Sequence, residues 1–138
     1  MAVLPEKPKN ILDRAKALFG KQVEAIIRQE QKLVELVQKT LTKLSKVKGN
    51  PKVQKFLQPI QIFIRMLKAH FRGEHKMAYS TLGLIVLALV YFISTLDIIP
   101  DFLGFLGFAD DLSVIMAVYA KVRDEVESFL EWERTQDI

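Results

Sequence analysis

The 138 residues contain no cysteine. That excludes disulfides, thiolate zinc sites and thiol nucleophiles together. Positive charge is missing from a long internal stretch: no lysine or arginine lies between Met77 and Ala120. Charge of either sign is missing from Met77 to Leu96, M-A-Y-S-T-L-G-L-I-V-L-A-L-V-Y-F-I-S-T-L. The opening, M-A-V-L-P-E-K-P-K-N, has no apolar core of the kind a secretory signal needs, so residues 1–10 read as a flexible tail. No alternating strand pattern, zinc-finger spacing or RNA-binding signature occurs, which argues against β-structure and against nucleic acid as a partner.

The charge that is present is divided unevenly. Residues 1–76 hold 17 Lys and Arg against 6 Asp and Glu, whereas residues 77–138 hold 3 against 10. A basic half invites anionic lipid, or the chain's own acidic half, as its counterpart.

The apolar pattern is helical throughout, and the expected fold class is all-α with about four helices. From Ile11 to Lys48, steps of four and three from Leu12 pass through Phe19, Val23, Ile26, Leu33, Val37, Leu44 and Val47, with Ile27, Val34 and Leu41 as a second row. The many lysines opposite suit either a solvated bundle face or a helix lying on an anionic membrane. The expectation is one long helix, roughly 57 Å if unbroken, with Gly20 as its weak point and the alternative place for a break. Gly49-Asn50-Pro51 ends this element and begins the next. The second helix spans about 51–72, with an apolar face from Val53 to Phe71 and a kink expected at Pro59. His70, Glu74 and His75 have a spacing metal ligands can use, but Gly73 breaks the helix there, so a polar helix end is the favoured reading.

The third helix, about 77–95, is the ambiguous one. Twenty uncharged residues can cross a bilayer core. Ten of them are Leu, Ile, Val or Phe, favouring insertion by roughly 3–6 kcal/mol before the polar residues are subtracted. The same composition suits a helix surrounded by others in a soluble bundle. Basic residues precede the segment, which places its N-terminal side in the cytoplasm by the positive-inside rule. The last helix is expected over about 110–133, with a short turn or helix around 98–104.

Between the third and last helices lie Asp97, Asp101, Asp110 and Asp111. The favoured reading makes them helix caps: Asp110 occupies an N-cap position, Asp111 the first turn, and Asp97 and Asp101 the turn around Pro100. The alternative is a divalent-metal site, for which hard oxygen ligands suit Mg²⁺ or Ca²⁺. No cofactor is expected otherwise, and no catalytic base or nucleophile stands out, so no enzyme class is indicated.

The stretch Y-F-I-S-T-L-D-I-I-P-D-F-L-G-F-L-G-F-A-D-D resembles the YkvA-like family, the domain of unknown function 1232. Tyr91, Asp97, Ile99, Pro100, Asp101, Gly107, Asp110 and Asp111 fall on its motif. Upstream F-R-G-E-H and downstream F-L-E-W resemble its flanks. Thr95 and Gly104 stand where the family usually has proline. The resemblance covers roughly Ala69 to Glu133 and implies a small helical, often membrane-predicted protein without an established activity. The chain thus divides into a tail (1–10), a basic helical region (11–68), the family core (69–134) and a short tail (135–138). The expected function is a membrane-associated scaffold or interaction module on the cytoplasmic side of a membrane, with 77–96 as a candidate embedded helix. The alternatives are a soluble bundle for protein–protein or self-association, and a metal-binding protein.

Overall fold

A computed structural model describes residues 11–51, 53–98 and 113–136, with the side chains of Ile11 and of residues 96–98 left out. Six helices occur among the described residues: α1 (Ile11–Ile27), α2 (Glu30–Val47), α3 (Gln54–Phe71), α4 (Tyr79–Ile98), α5 (Ser113–Lys121) and α6 (Arg123–Gln136). No strand occurs among them, as the all-α expectation requires.

The expected first helix is two helices. The chain breaks at Arg28–Gln29, where Gln29 is extended (φ −129°, ψ 118°), and not at Gly20, which lies within α1. Neither residue at the break is a helix breaker. The physical cause is packing: folding back lets both α1 and α2 lie against α4. The apolar stripe serves both. Val23, Ile26, Leu33, Val37, Leu44 and Val47 are all buried. Ile27 and Val34 are half-buried at the edge, and Leu41 is exposed. Thr40, in register with the stripe, is fully buried and donates its hydroxyl to the Leu36 carbonyl at 2.7 Å, which satisfies it inside an apolar setting.

The α2–α3 turn falls where Gly49-Asn50-Pro51 places it. Val53 N–H donates to the Asn50 carbonyl at 3.0 Å, and the Gln54 amide spans the turn to the Lys48 carbonyl at 2.7 Å. Helix α3 continues through Pro59. It is buried on more than one side, since Ile62 and Met66 join the expected face of Phe56, Ile60, Phe63 and Leu67 in the core. A helix end with left-handed glycine closes it: Gly73 has φ +73°. There Gly73 N–H reaches the His70 carbonyl at 3.0 Å and Glu74 N–H reaches the Ala69 carbonyl at 2.9 Å. This is a Schellman motif.

Helix α4 is the axis of the bundle, packing on α1, α2, α3 and α5. Ile85, Val86, Leu87, Ala88, Leu89, Val90 and Phe92 are each at most 2% exposed. Helix α1 runs antiparallel to it. Phe19 meets Tyr91 edge-on at 5.5 Å, while a side chain at Gly83 would meet Ile27. The last helix, expected as one, is interrupted at Val122 only in name. Val122 N–H bonds to Val118 O and Val126 N–H to Val122 O, both at 2.9 Å, so the helical ladder continues across. It extends to Gln136, past the expected end at 133.

Candidate functional site

The aspartate cluster lies mostly outside the described residues. Asp97 belongs to the last turn of α4. Asp101, Asp110 and Asp111, with residues 99–104 of the expected turn, fall beyond the description, while Ile98 still belongs to α4; α5 is described from Ser113, two residues after Asp111. Among the described residues no group of three His, Asp or Glu side chains could hold a metal.

The His70–Glu74–His75 spacing does not make a ligand set. His70 Nδ1 accepts a hydrogen bond from the Met77 backbone N–H at 3.1 Å, which fixes its proton on Nε2 and ties the α3 end to the approach to α4. Burial, and secondarily the nearby Lys76 ammonium, push the His70 pKa below its ordinary value. His75 turns the other way. Its ring lies 5.6 Å from Phe129 and 5.1 Å from Trp132. Thus the F-R-G-E-H and F-L-E-W segments, more than fifty residues apart in the sequence, pack on each other. Beside them Arg65 holds Glu133 through two bonds, Nε–Oε2 at 2.8 Å and Nη2–Oε1 at 3.1 Å. That fork joins the basic half of the chain to the acidic half.

Two surface features remain that can engage a partner. The first is cationic. Arg14, Lys21 and Arg28 recur every seven residues on α1 and at its end, and Lys32, Lys39 and Lys46 do so on α2, all exposed. Seven residues are close to two helical turns, so each set is a row roughly 21 Å long. Arg28 pairs with Glu24 at 3.4 Å. Lys21, Lys32, Lys39 and Lys46 form no ion pair among the described residues. Sequence periodicity marked the apolar stripe; the same period, applied to the lysines, would have found these rows.

The second feature is a groove of about 760 Å³ between α1, the first turns of α4 and the α5–α6 junction. Its walls include Ala17, Val23, Ile27, Leu84 and Leu87, and its rim includes Lys16, Lys21 and Lys121. Sequence reasoning missed it, because its three walls come from distant segments.

Among the described residues no helix is long and apolar enough to cross a membrane. The segment 77–96, read as a candidate embedded helix, here supplies most of the α4 axis, and its residues from Ile85 to Val90 and Phe92 are buried against other helices.

The profile of the family described as protein of unknown function (DUF1232) matches residues 81–117, from the first turn of α4 into α5. No solved structure matches the chain. The uncharacterized membrane protein YkvA of Bacillus subtilis (strain 168) is 32% identical over 80 residues, covering 57% of this chain and 76% of that relative. The matched family region holds the bundle axis and the aspartate motif, and the relative extends the likeness beyond it on most of its own length: the chain belongs to the YkvA-like DUF1232 family.

Proposed function

We propose that this protein is a non-enzymatic helical module that docks on the anionic cytoplasmic surface of a membrane, with α4 kept inside the bundle. The observation that carries the reading is the pair of exposed heptad rows of cations on α1 and α2. Each Lys or Arg near an anionic leaflet is worth about 1 kcal/mol, decaying within a Debye length. Five such residues, Arg28 being held by Glu24, are the attraction that reversible docking without insertion would use. The relative's description as a membrane protein supports the location, and the burial of α4 supports surface attachment over an embedded helix.

The experiment is fractionation followed by vesicle sedimentation. Alkaline carbonate, at a pH above the lysine pKa of about 10.4, removes the ammonium charges and should release the protein from membranes. Purified protein should sediment with phosphatidylserine vesicles and lose this between low and high salt. The Lys32→Glu/Lys39→Glu/Lys46→Glu variant should abolish sedimentation while melting normally, since exposed substitutions shift stability by only about 0.5 kcal/mol. Retention after carbonate would support the embedded reading of 77–96. Salt-independent self-association without vesicle binding would support the protein–protein alternative.

A further inference from the structure

We infer that the groove between α1, α4 and the α5–α6 junction receives one acyl chain of a phosphate-bearing membrane lipid, with the phosphate held by the lysine rim. This rests on the membrane reading for the source of the lipid and adds a specific pocket to it. Its volume of about 760 Å³ lies within the ~300–1,000 Å³ typical of small-molecule sites. Its shape is set by residues with no side chain. At Gly20 a Cβ would meet nothing within 4 Å, and at Gly83 it would meet only Ile27, at 3.6 Å. Gly20 thus leaves the α1 wall open, while Ile27 packs close to Gly83 on the facing helix, and Ala17, Val23, Leu84 and Leu87 make the rest of the lining mainly apolar.

Size and charge select the occupant. From Lys16 to Ile27 the α1 wall is about 17 Å long, and a partner helix of that length, about 10–12 Å across, would displace well over 1,000 Å³. A thin chain fits where a helix does not. On the rim, Lys16, Lys21 and Lys121 form no ion pair among the described residues. Of the two acidic rim residues, Glu24 is engaged by Arg28 at 3.4 Å, which leaves three ammonium groups against Glu125. The balance favours an anionic headgroup above an apolar slot. Tyr79, 58% exposed at the groove's edge, has the amphipathic ring that favours a boundary between apolar and wet surroundings.

Calorimetry with dodecyl phosphate, below its micelle-forming concentration and without vesicles, tests the pocket apart from surface docking. The full chain should bind it. Gly20→Leu, which places a side chain in the channel, should weaken binding about tenfold, the effect of about two methylenes of lost burial, without lowering the melting temperature. Lys16→Gln/Lys121→Gln, two exposed changes, should weaken it comparably and provides the measure if Gly20→Leu does not fold. The Lys32→Glu/Lys39→Glu/Lys46→Glu variant should lose vesicle binding yet keep dodecyl phosphate. No heat with dodecyl phosphate overturns the inference even where vesicles bind, and vesicle binding then leaves the membrane reading standing. Undiminished heat in both groove variants overturns it equally. So does a dimer that Gly20→Leu converts to monomer, which would assign the groove to a second copy.

Discussion

At the scale of single residues, His70 is the group whose protonation the fold opposes. Its Nδ1 must stay unprotonated to accept the Met77 N–H, and burial with Lys76 nearby lowers its pKa. The unfolded chain therefore binds a proton that the folded chain refuses, and stability rises with pH across this window. As pH falls through about 6.5, the unfolded value, stability should decline. Melting temperatures between pH 8 and 5 will show this, and His70→Ala should flatten that part of the profile while costing about 1 kcal/mol for the lost hydrogen bond. At His75 it is the hydrogen bond that differs. Its buried Nδ1 has no hydrogen-bond partner among the described residues, while its ring packs on Phe129 and Trp132. His75→Phe keeps the ring contacts and removes the unmet polar atom, so the melting temperature should hold or rise. The sequence placed both histidines at a polar helix end and Gly73 at the break, because glycine punctuation is local. It could not show that His75 meets F-L-E-W, since that contact depends on how α3 and α6 pack. The aspartate caps remain a proposal read from sequence position: with Asp110 a cap, Asp110→Asn should be nearly neutral in melting, and millimolar Mg²⁺ or Ca²⁺ should shift neither protein. A metal-dependent rise lost in the variant would instead make it a ligand.

At the scale of elements, the split between α1 and α2 separates propensity from packing. Gly20 is the weakest helix former in α1, yet the helix runs through it; the break falls at Arg28–Gln29, which have no local reason to stop a helix. A glycine inside a helix costs about 1 kcal/mol relative to alanine, a penalty the burial of Val23, Ile26 and Ala15 against α4 and α5 outweighs. With open space around its missing Cβ, Gly20→Ala should therefore stabilise the protein by about 1 kcal/mol, read as an increased denaturant midpoint at unchanged slope. An unchanged or lower midpoint would mean that the glycine is needed for close approach. Periodicity made the stripe of α1 and α2 legible almost residue by residue, because a helix buries what recurs every three or four positions. The point of folding back was not legible, because it is decided by α4, a partner far along the chain.

For the whole molecule, the ambiguity of 77–96 is one of solvent. An apolar helix reads the same whether lipid or other helices surround it, and only the neighbours decide. Here the neighbours are α1, α2, α3 and α5, and two leucines separate the cases. Leu89 is fully buried in the middle of α4, whereas Leu18 is 67% exposed on α1. Leu89→Lys loses about 2–5 kcal/mol of packing and adds the cost of a buried, unpaired ammonium. Against a typical total stability of about 5–15 kcal/mol, that should abolish the cooperative melt in detergent-free buffer. Leu18→Lys touches no core contact and should melt within about 0.5 kcal/mol of the parent. Ser80→Lys belongs with Leu18, since Ser80 is exposed at the start of α4. Circular dichroism melts of the three variants without detergent check the set. A helical, cooperatively melting Leu89→Lys protein would mean that α4 is not the core of this bundle. Loss of the melt in Leu89→Lys alone would mean that the apolarity of the segment is spent on the helices that surround it in the bundle.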